Sequence, residues 1–418
     1  MTSTHLDLWI GTYPVAGAGS PAGLGEGIWR ARVDPATGTW HGARQVAELP
    51  APSFLVAHPS GSVVYAVGET ADGTVTALGA DGVDLDDGLL RPLGTVRSGG
   101  EDPCHLLLAP GATALYVTNY SSGTVGVLPL AADGTWSEGV LAAGGPVQVF
   151  TAADSMTSGP GPEVDRQDGP HAHAALVAPG GRHLLVTDLG TDELRRYRIR
   201  GDGLLEAGGI AARLPAGTGP RHLAAGPGGH VYVVGELDST VHVLRWAPDT
   251  ATAVLVQTVP ACSTAPRPDG RGRRNLAAHL DVVDRRVLVS VRGADVLTSF
   301  AVSPGGSELT PLGEWPTGGT WPRHFAVVDG AVVAANQISS TVAVGTVGTD
   351  RPVGTVGSDR PVGTVGSDRP VGTVGSDRPV GTVGTDRPVT PTEDGAAAEA
   401  VRHLLDLPAP ACVVPVGV

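Results

Sequence analysis

Along most of the chain, runs of five to seven residues either alternate apolar with polar side chains or are apolar throughout, and they are rich in valine and leucine. Turn sequences such as Pro-Ser-Gly, Pro-Gly-Gly and Ala-Asp-Gly separate them. Successive side chains of a strand point to opposite faces, so this pattern predicts short antiparallel β-strands. One stretch, Glu393 to Leu405, reads instead as a short helix.

The runs recur as a unit of strand, turn and second strand. Its clearest copies are Pro103-Cys-His-Leu-Leu-Leu with Leu115-Tyr-Val-Thr-Asn-Tyr120, and Gly219-Pro-Arg-His-Leu with Val231-Tyr-Val-Val-Gly-Glu236. Anchoring prolines at Pro52, Pro103, Pro170, Pro220, Pro322 and Pro410 recur at roughly fifty residues or a longer interval, with Asn275 to Val302 supplying a copy in the widest gap. Internal repetition of this length predicts a β-propeller. Pro410-Ala-Cys-Val-Val-Pro415 reads as an innermost strand with nothing after it. Leu6 to Tyr13 and Gly27 to Val33 read as later strands with no innermost strand before them. Joined, they make one blade, which closes the ring and leaves no open sheet edge. The expectation is an all-β, seven-bladed propeller of four-stranded antiparallel blades, forming one domain over 1–418.

Composition narrows the function. Gly 61 and Pro 35 among 418 residues supply turns, and a net charge of -14 with no lysine excludes a basic nucleic-acid-binding face. Three scattered cysteines, Cys104, Cys262 and Cys412, form neither a metal pattern nor a disulfide framework. The start lacks a basic then apolar leader and no run is long enough to cross a membrane, so a cytoplasmic monomer without membrane or nucleic-acid partners is expected.

From about Val344 to Pro388 the nonamer Val-Gly-Thr-Val-Gly-Ser/Thr-Asp-Arg-Pro recurs, with Asp350, Asp359, Asp368, Asp377 and Asp386 in register. Removing four nonamers brings the interval from Pro322 to Pro410 back to the length of an ordinary blade. The tract is expected to be a low-complexity insertion in one strand connection, exposed and loosely ordered.

In an antiparallel pair the start of the first strand and the end of the second lie at the same end of the sheet. Residues after each anchoring proline and those closing each second strand should therefore crowd around the axis on one face. That set is His105, Asn119 and Tyr120; His171, His173 and Asp188; Arg221, His222 and Glu236; Arg292; Arg323, His324 and Asn336; and Glu69. Titratable groups converging on one concave face point to a binding or catalytic pocket. His171 and His173, one residue apart, are expected to face opposite ways, with only one in the site. Asn119, Asn336 and Asp188 are also placed to cap turns. Arg221 and Arg292 are placed to bridge neighbouring blades as well as to bind an anion.

With these residues the chain resembles the seven-bladed lactonase family, which includes propeller-type 6-phosphogluconolactonases and fungal carboxymuconate cyclases. The most specific piece is Arg166-Gln-Asp-Gly-Pro-His-Ala-His173 followed by Leu184-Leu-Val-Thr-Asp-Leu-Gly190. Gly11-Thr-Tyr13, Asp34-Pro-Ala-Thr-Gly38, Gly219-Pro-Arg-His222 and Trp321-Pro-Arg-His324 agree, while Val291-Arg-Gly293 and Val67-Gly-Glu69 depart from the family pattern. The resemblance implies His173 and Glu236 as an acid–base pair and Arg221 and Arg292 as carboxylate or phosphate holders. His171, His222, His105, Arg323, Asn119 and Asn336 are expected around the substrate. A lactone carbonyl attacked by water needs a base, a donor for the developing oxyanion and an acid for the leaving alkoxide, and these side chains supply all three. The implied activity is metal-free and cofactor-free hydrolysis of an anionic sugar lactone, with 6-phosphogluconolactone foremost. A muconate-type cycloisomerase or another lactonase of secondary metabolism, a metal-dependent lactonase, and a non-catalytic binding platform are the alternatives.

Deleting three of the nonamers is expected to leave melting temperature and lactonase turnover nearly unchanged. A large loss of either, by calorimetry or assay, would show the tract to be part of the working fold.

Overall fold

The structure, a computed structural model, describes residues 5–13, 27–151, 161–268, 274–346, 387–388 and 403–416. Seven antiparallel sheets follow one another, and six of them have four strands. Counting from the sheet that contains the N-terminal strand, blades 2 to 6 begin with innermost strands Leu55–Ala57, Pro103–Leu108, Ala172–Val177, Pro220–Ala225 and Leu276–Val283. Blade 1 is shared as the sequence predicts. Its innermost strand is Pro410–Pro415, followed outward by Leu6–Thr12, Ile28–Val33 and Trp40–Ala47. Ile10 pairs with Val413 and Gly11 with Cys412, so the two ends of the chain are held by backbone hydrogen bonds.

Blade 7 runs Pro322–Val328, Ala331–Asn336, Thr341–Thr346 and His403–Asp406, with the two-residue strand Arg387–Pro388 at its outer edge. The nonamer tract therefore joins the third and fourth strands of this blade, and residues 347–386 lie outside the described residues. The helix expected over Glu393 to Leu405 is corrected at its end, because His403–Asp406 is a strand paired with Thr341–Val344; residues 389–402 are not described. A six-residue helix that the apolar pattern did not predict, Glu138–Ala143, sits in blade 3. Ser137 caps its start by accepting from Val140 N, and Gly144 ends it in the left-handed conformation.

The hydrophobic core is divided among the blade interfaces. Each of seven apolar clusters takes its members from two adjacent sheets. Tyr65, Val67 and Leu115 belong to the one between blades 2 and 3, and Trp9, Leu55 and Cys412 to the one between blades 1 and 2. Second strands such as Val63–Gly68 and His230–Gly235 are buried at every position, covered on both faces, which explains their continuous apolar runs. The Tyr of the repeated motif gains a partner in the next blade. Tyr65 donates to Gly134 O, Tyr116 to Gly203 O at 2.9 Å and Tyr232 to Gly306 O at 2.9 Å. A buried phenol thereby satisfies its hydroxyl while locking one blade to the following one.

Because blade 1 has no innermost strand without Pro410–Pro415, a chain ended after Leu407 exposes Leu6–Thr12 as an open edge and bares Trp9 and Leu55. It is expected to run as aggregates on size exclusion and to lose a cooperative melting transition. A soluble monomer with an unchanged melting temperature would contradict this account of closure.

Candidate active site

The innermost strands are bulged at the positions that reach the axis. Register shifts occur at Pro103/His105, Ala172/Ala174, Pro220/Leu223, Ala277/Leu280 and Pro322/His324. A bulge re-aims the side chain it carries. His171 and His173 do part company, but the bulge is the reason, since residues two apart in a regular strand share a face. Hydroxyls from the neighbouring blade fix the bulged backbone. Thr118 Oγ1 donates to His173 O at 2.9 Å, and Thr187 Oγ1 to Arg221 O at 2.6 Å. The loop leading to Arg221 is held by Asp192, which accepts from Gly217 N and Gly219 N at 2.8 and 2.7 Å. Gly219 lies at φ +57, and a Cβ there would stand 2.4 Å from Leu237 Cγ, so glycine is required.

Glu236, closing the second strand of blade 5, is the electrostatic centre and is only 2% exposed. Arg166 Nη2 reaches its Oε1 at 2.7 Å, while Arg221 Nε and Arg292 Nη2 reach Oε2 at 3.0 and 2.9 Å. Burial favours the neutral acid, but Arg292, Arg166, Arg221 and His173 outweigh it and hold the carboxyl well below the usual carboxylate range. Glu236 is therefore a fixed anion at neutral pH. Burial and the neighbouring Arg292 and Arg323 draw Arg221 down to about 9, opposed by Glu236, so it stays cationic. Three guanidiniums on one carboxylate leave a local charge of about +2 in a chain whose net charge is -14.

His173, 5% exposed, lies beside this cluster. Burial and Arg221 push its pKa well below 6.5 and Glu236 opposes them, so the imidazole is neutral at physiological pH and free to accept a proton. Its Nδ1 has Cys104 Sγ at 4.0 Å, and Nε2 has no hydrogen bond among the described residues. Burial pushes the Cys104 thiol up to about 12, which removes it as a nucleophile.

Below His173, imidazoles from successive blades gather around the axis. His222 lies between His105, His173 and His279, with ring centroids 5.6, 5.4 and 5.0 Å away, and His279 stacks on His324 at 4.0 Å. His222 Nδ1 and His279 Nδ1 share a 2.8 Å hydrogen bond, so one donates while the other accepts. Phe54 closes the group against His105 at 4.4 Å.

The opposite arc of the funnel carries a second carboxylate. Glu69, closing the second strand of blade 2, accepts from Ser53 Oγ and from the Tyr13 hydroxyl. Arg323 Nη2 lies 3.6 Å from its Oε1, with the guanidinium 4.8 Å over the Tyr13 ring. Burial raises the Glu69 pKa, opposed by Arg323, Ser53 and Tyr13.

Of the residues expected around the substrate, His173, Arg221, Arg292 and Glu236 come together. Arg323 faces the second carboxylate. His171 sits at the rim, stacked on Tyr120 at 4.5 Å, with its Nε2 2.9 Å from Asp168. His105 and His222 belong to the axial cluster. Asn119 and Asn336 are fully buried and tie blades together, Asn119 donating to Thr124 Oγ1 and Ser98 O at 3.0 and 3.4 Å and Asn336 to Thr317 O at 3.0 Å. Asp188 is a turn cap, accepting from His171 N and Thr191 N at 2.8 and 3.2 Å. Sequence reasoning missed Arg166, although it opens the most distinctive motif of the chain. It also missed His279 and the joining of Tyr13 and Ser53 to Glu69. No group of three or more His, Cys, Asp or Glu is arranged to hold a metal ion among the described residues. A groove of about 780 Å³ lined by blades 2, 3 and 4, at the opposite face, has only His58 and Asp202 as titratable lining groups.

Burial is the first cause in lowering the pKa of all five axial imidazoles below 6.5, with His105 and His324 at about 3. In the unfolded chain they titrate near 6.5, so below that pH unfolding takes up protons that the folded state excludes. Stability is complete above pH ~6.5 and falls as the pH is lowered toward the folded values, by up to about 1.4 kcal/mol per pH unit for each group. The melting temperature should therefore drop steeply between pH 6.5 and 4.5. His279→Gln should flatten that slope and reduce proton uptake on unfolding by close to one; an unchanged slope would refute a neutral cluster.

A model of the family described as "Lactonase, 7-bladed beta-propeller" matches residues 7–365. A protein of Bacillus subtilis named 6-phosphogluconolactonase is 29% identical over 79% of this chain and 87% of its own length. One of Pectobacterium carotovorum with the same name is 30% identical over 62% of this chain and 71% of its own. The solved structure of the Pseudomonas aeruginosa periplasmic gluconolactonase shares the fold, with a TM-score of 0.71 at 24% identity and 99% coverage of both chains. Together with the seven blades and the axial funnel, the family match shows that this chain belongs to the seven-bladed β-propeller lactonases.

Proposed function

We propose that this protein hydrolyses an anionic sugar lactone, with 6-phospho-D-glucono-1,5-lactone as substrate and 6-phosphogluconate as product. The observation that carries this reading is the junction of a neutral imidazole, His173, with three arginines gathered on one buried carboxylate. The names of the Bacillus and Pectobacterium relatives support the same substrate.

Water attacks the lactone carbonyl while His173 takes its proton, and the developing oxyanion draws on the guanidinium charge of Arg221 and Arg292. Collapse of the tetrahedral intermediate breaks the bond to the ring oxygen, and the imidazolium returns the proton to that leaving alkoxide. Glu236 keeps its charge throughout. It aligns the arginines and favours the imidazolium as it forms. Arg166 has 36% of its side chain exposed at the entrance and is placed to meet the phosphate through paired hydrogen bonds.

His173→Gln is expected to lower kcat by about 10²- to 10⁴-fold. In the native enzyme kcat/KM should stay level from neutrality to below pH 6, because the base remains unprotonated there. Arg166→Gln should reduce the preference for 6-phosphogluconolactone over unphosphorylated gluconolactone, measured as the ratio of kcat/KM above spontaneous hydrolysis. Wild-type turnover equal to that of His173→Gln on both lactones would overturn the proposal.

A further inference from the structure

The Glu69 cluster has no task in the mechanism above, yet it borders the same funnel. Its parts come from three consecutive blades. Tyr13 follows a strand of blade 1, Ser53 and Glu69 flank the first strand pair of blade 2, and Arg323 lies in the innermost strand of blade 7. The Glu236 cluster is built from blades 5 and 6 and the segment before blade 4, so the two carboxylates stand on opposite arcs. Arg323 is close enough to respond to both of them.

The Glu69–Arg323 contact differs from the structural ion pairs of this protein. Arg30–Asp7 and Arg195–Asp188 close to 2.9 Å, whereas Arg323 stays 3.6 Å from Glu69, beyond hydrogen-bond length, and makes no other ion pair or hydrogen bond among the described residues. A guanidinium carries five N–H donors and a carboxylate about four acceptor positions. Ser53 and Tyr13 fill two of those acceptor positions, and both are hydroxyls that also accept. What remains is a carboxylate oxygen and a guanidinium with unused capacity, side by side, at a site only 7% exposed at Glu69. Vicinal hydroxyls donate and accept at once, and they match this pair. A second carboxylate on the ligand would instead meet Glu69 with like charge.

We propose that Glu69, Arg323, Ser53 and Tyr13 form the subsite that recognises the hydroxyls of a polyhydroxylated ligand, opposite the arginine clamp on Glu236. The inference rests on the lactone reading above and deepens it, setting a sugar acid apart from the dicarboxylate of a muconate-type substrate.

Calorimetry with two probes tests it without catalysis. 6-Phospho-D-gluconate carries the hydroxyls, and hexyl phosphate offers the same phosphate without them. The wild type should bind the first at least about 10-fold more tightly, and Glu69→Gln should remove most of that difference while leaving hexyl phosphate within about twofold. Ser53→Ala, a smaller change, should move the preference in the same direction and serves if Glu69→Gln fails to fold. Equal weakening of both probes would show a merely structural role. Failure of the wild type to prefer the polyol, or preference for a tricarboxylate such as tricarballylate, would also overturn the proposal. A Glu69-dependent preference in a protein that hydrolyses no lactone above background would retain the subsite and remove the hydrolase reading instead.

Discussion

Removing a carboxylate from water is tolerable only if cations come with it, and the ring is arranged around that requirement at Glu236. An isolated buried charge is so costly that a group in that position ordinarily gives up its charge. Here three arginines from separate elements prevent it. Each arginine is in turn disfavoured by its fellows, as the lowered Arg221 shows, so the carboxylate and its cations depend on one another. Arg221 and Arg292 are the buried partners, and losing one partner of a buried pair costs about 3–5 kcal/mol, whereas Arg166 stands partly in solvent. The cluster also fixes the environment of His173, whose neutrality follows from the same burial and the same arginines.

A near-symmetric scaffold reaches this asymmetric site by a repeated device. Blades 3 to 7 each bring a bulged innermost strand to the axis, and the neighbouring blade ties down the bulged backbone where Thr118 holds His173 and Thr187 holds Arg221. The backbone can repeat because the bulge, not the sequence of the whole blade, sets the direction of the side chain. Histidine in five blades makes a neutral lining along the axis, and arginine in three places makes a cationic mouth above it. Function is thus written into one or two positions per repeat, and the remainder of each blade is free to serve packing.

Much of this was legible in the chain itself. The strands, the seven repeats and the shared first blade follow from local features, namely anchoring prolines, Val-Tyr-Val runs and turn glycines, and each is satisfied within one blade or its immediate neighbour. That His173, Arg221, Glu236 and Arg292 lie on one face followed from strand direction, and the family resemblance singled them out of the larger set. What stayed hidden depends on three-dimensional register or on irregular backbone. Arg166 comes from a segment outside any strand. The amides of Asn119 and Asn336 resemble pocket polar groups in sequence, yet they donate to carbonyls of the preceding blade and, for Asn119, also to Thr124 Oγ1. The helix Glu138–Ala143 is too short to show a period and is recognisable only by its caps at Ser137 and Gly144. Conversely, the alanine-rich stretch that suggests a helix after Glu393 ends in a strand, because pairing with Thr341–Val344 overrides local propensity.

The strand Pro410–Pro415 has a consequence for how the chain is made. Its partner Leu6–Thr12 leaves the ribosome about 400 residues before the strand that covers it. Throughout synthesis the nascent chain therefore carries an unfilled slot beside Leu6–Thr12, while later blades assemble in order behind it. At elongation rates of about 5–20 residues per second, that slot stays open for some tens of seconds. A neighbouring nascent chain on the same message offers the same six-residue strand as a competitor for it. The hydrogen bonds that close the ring thus join strands about 400 residues apart in sequence, which places them at the slow end of assembly.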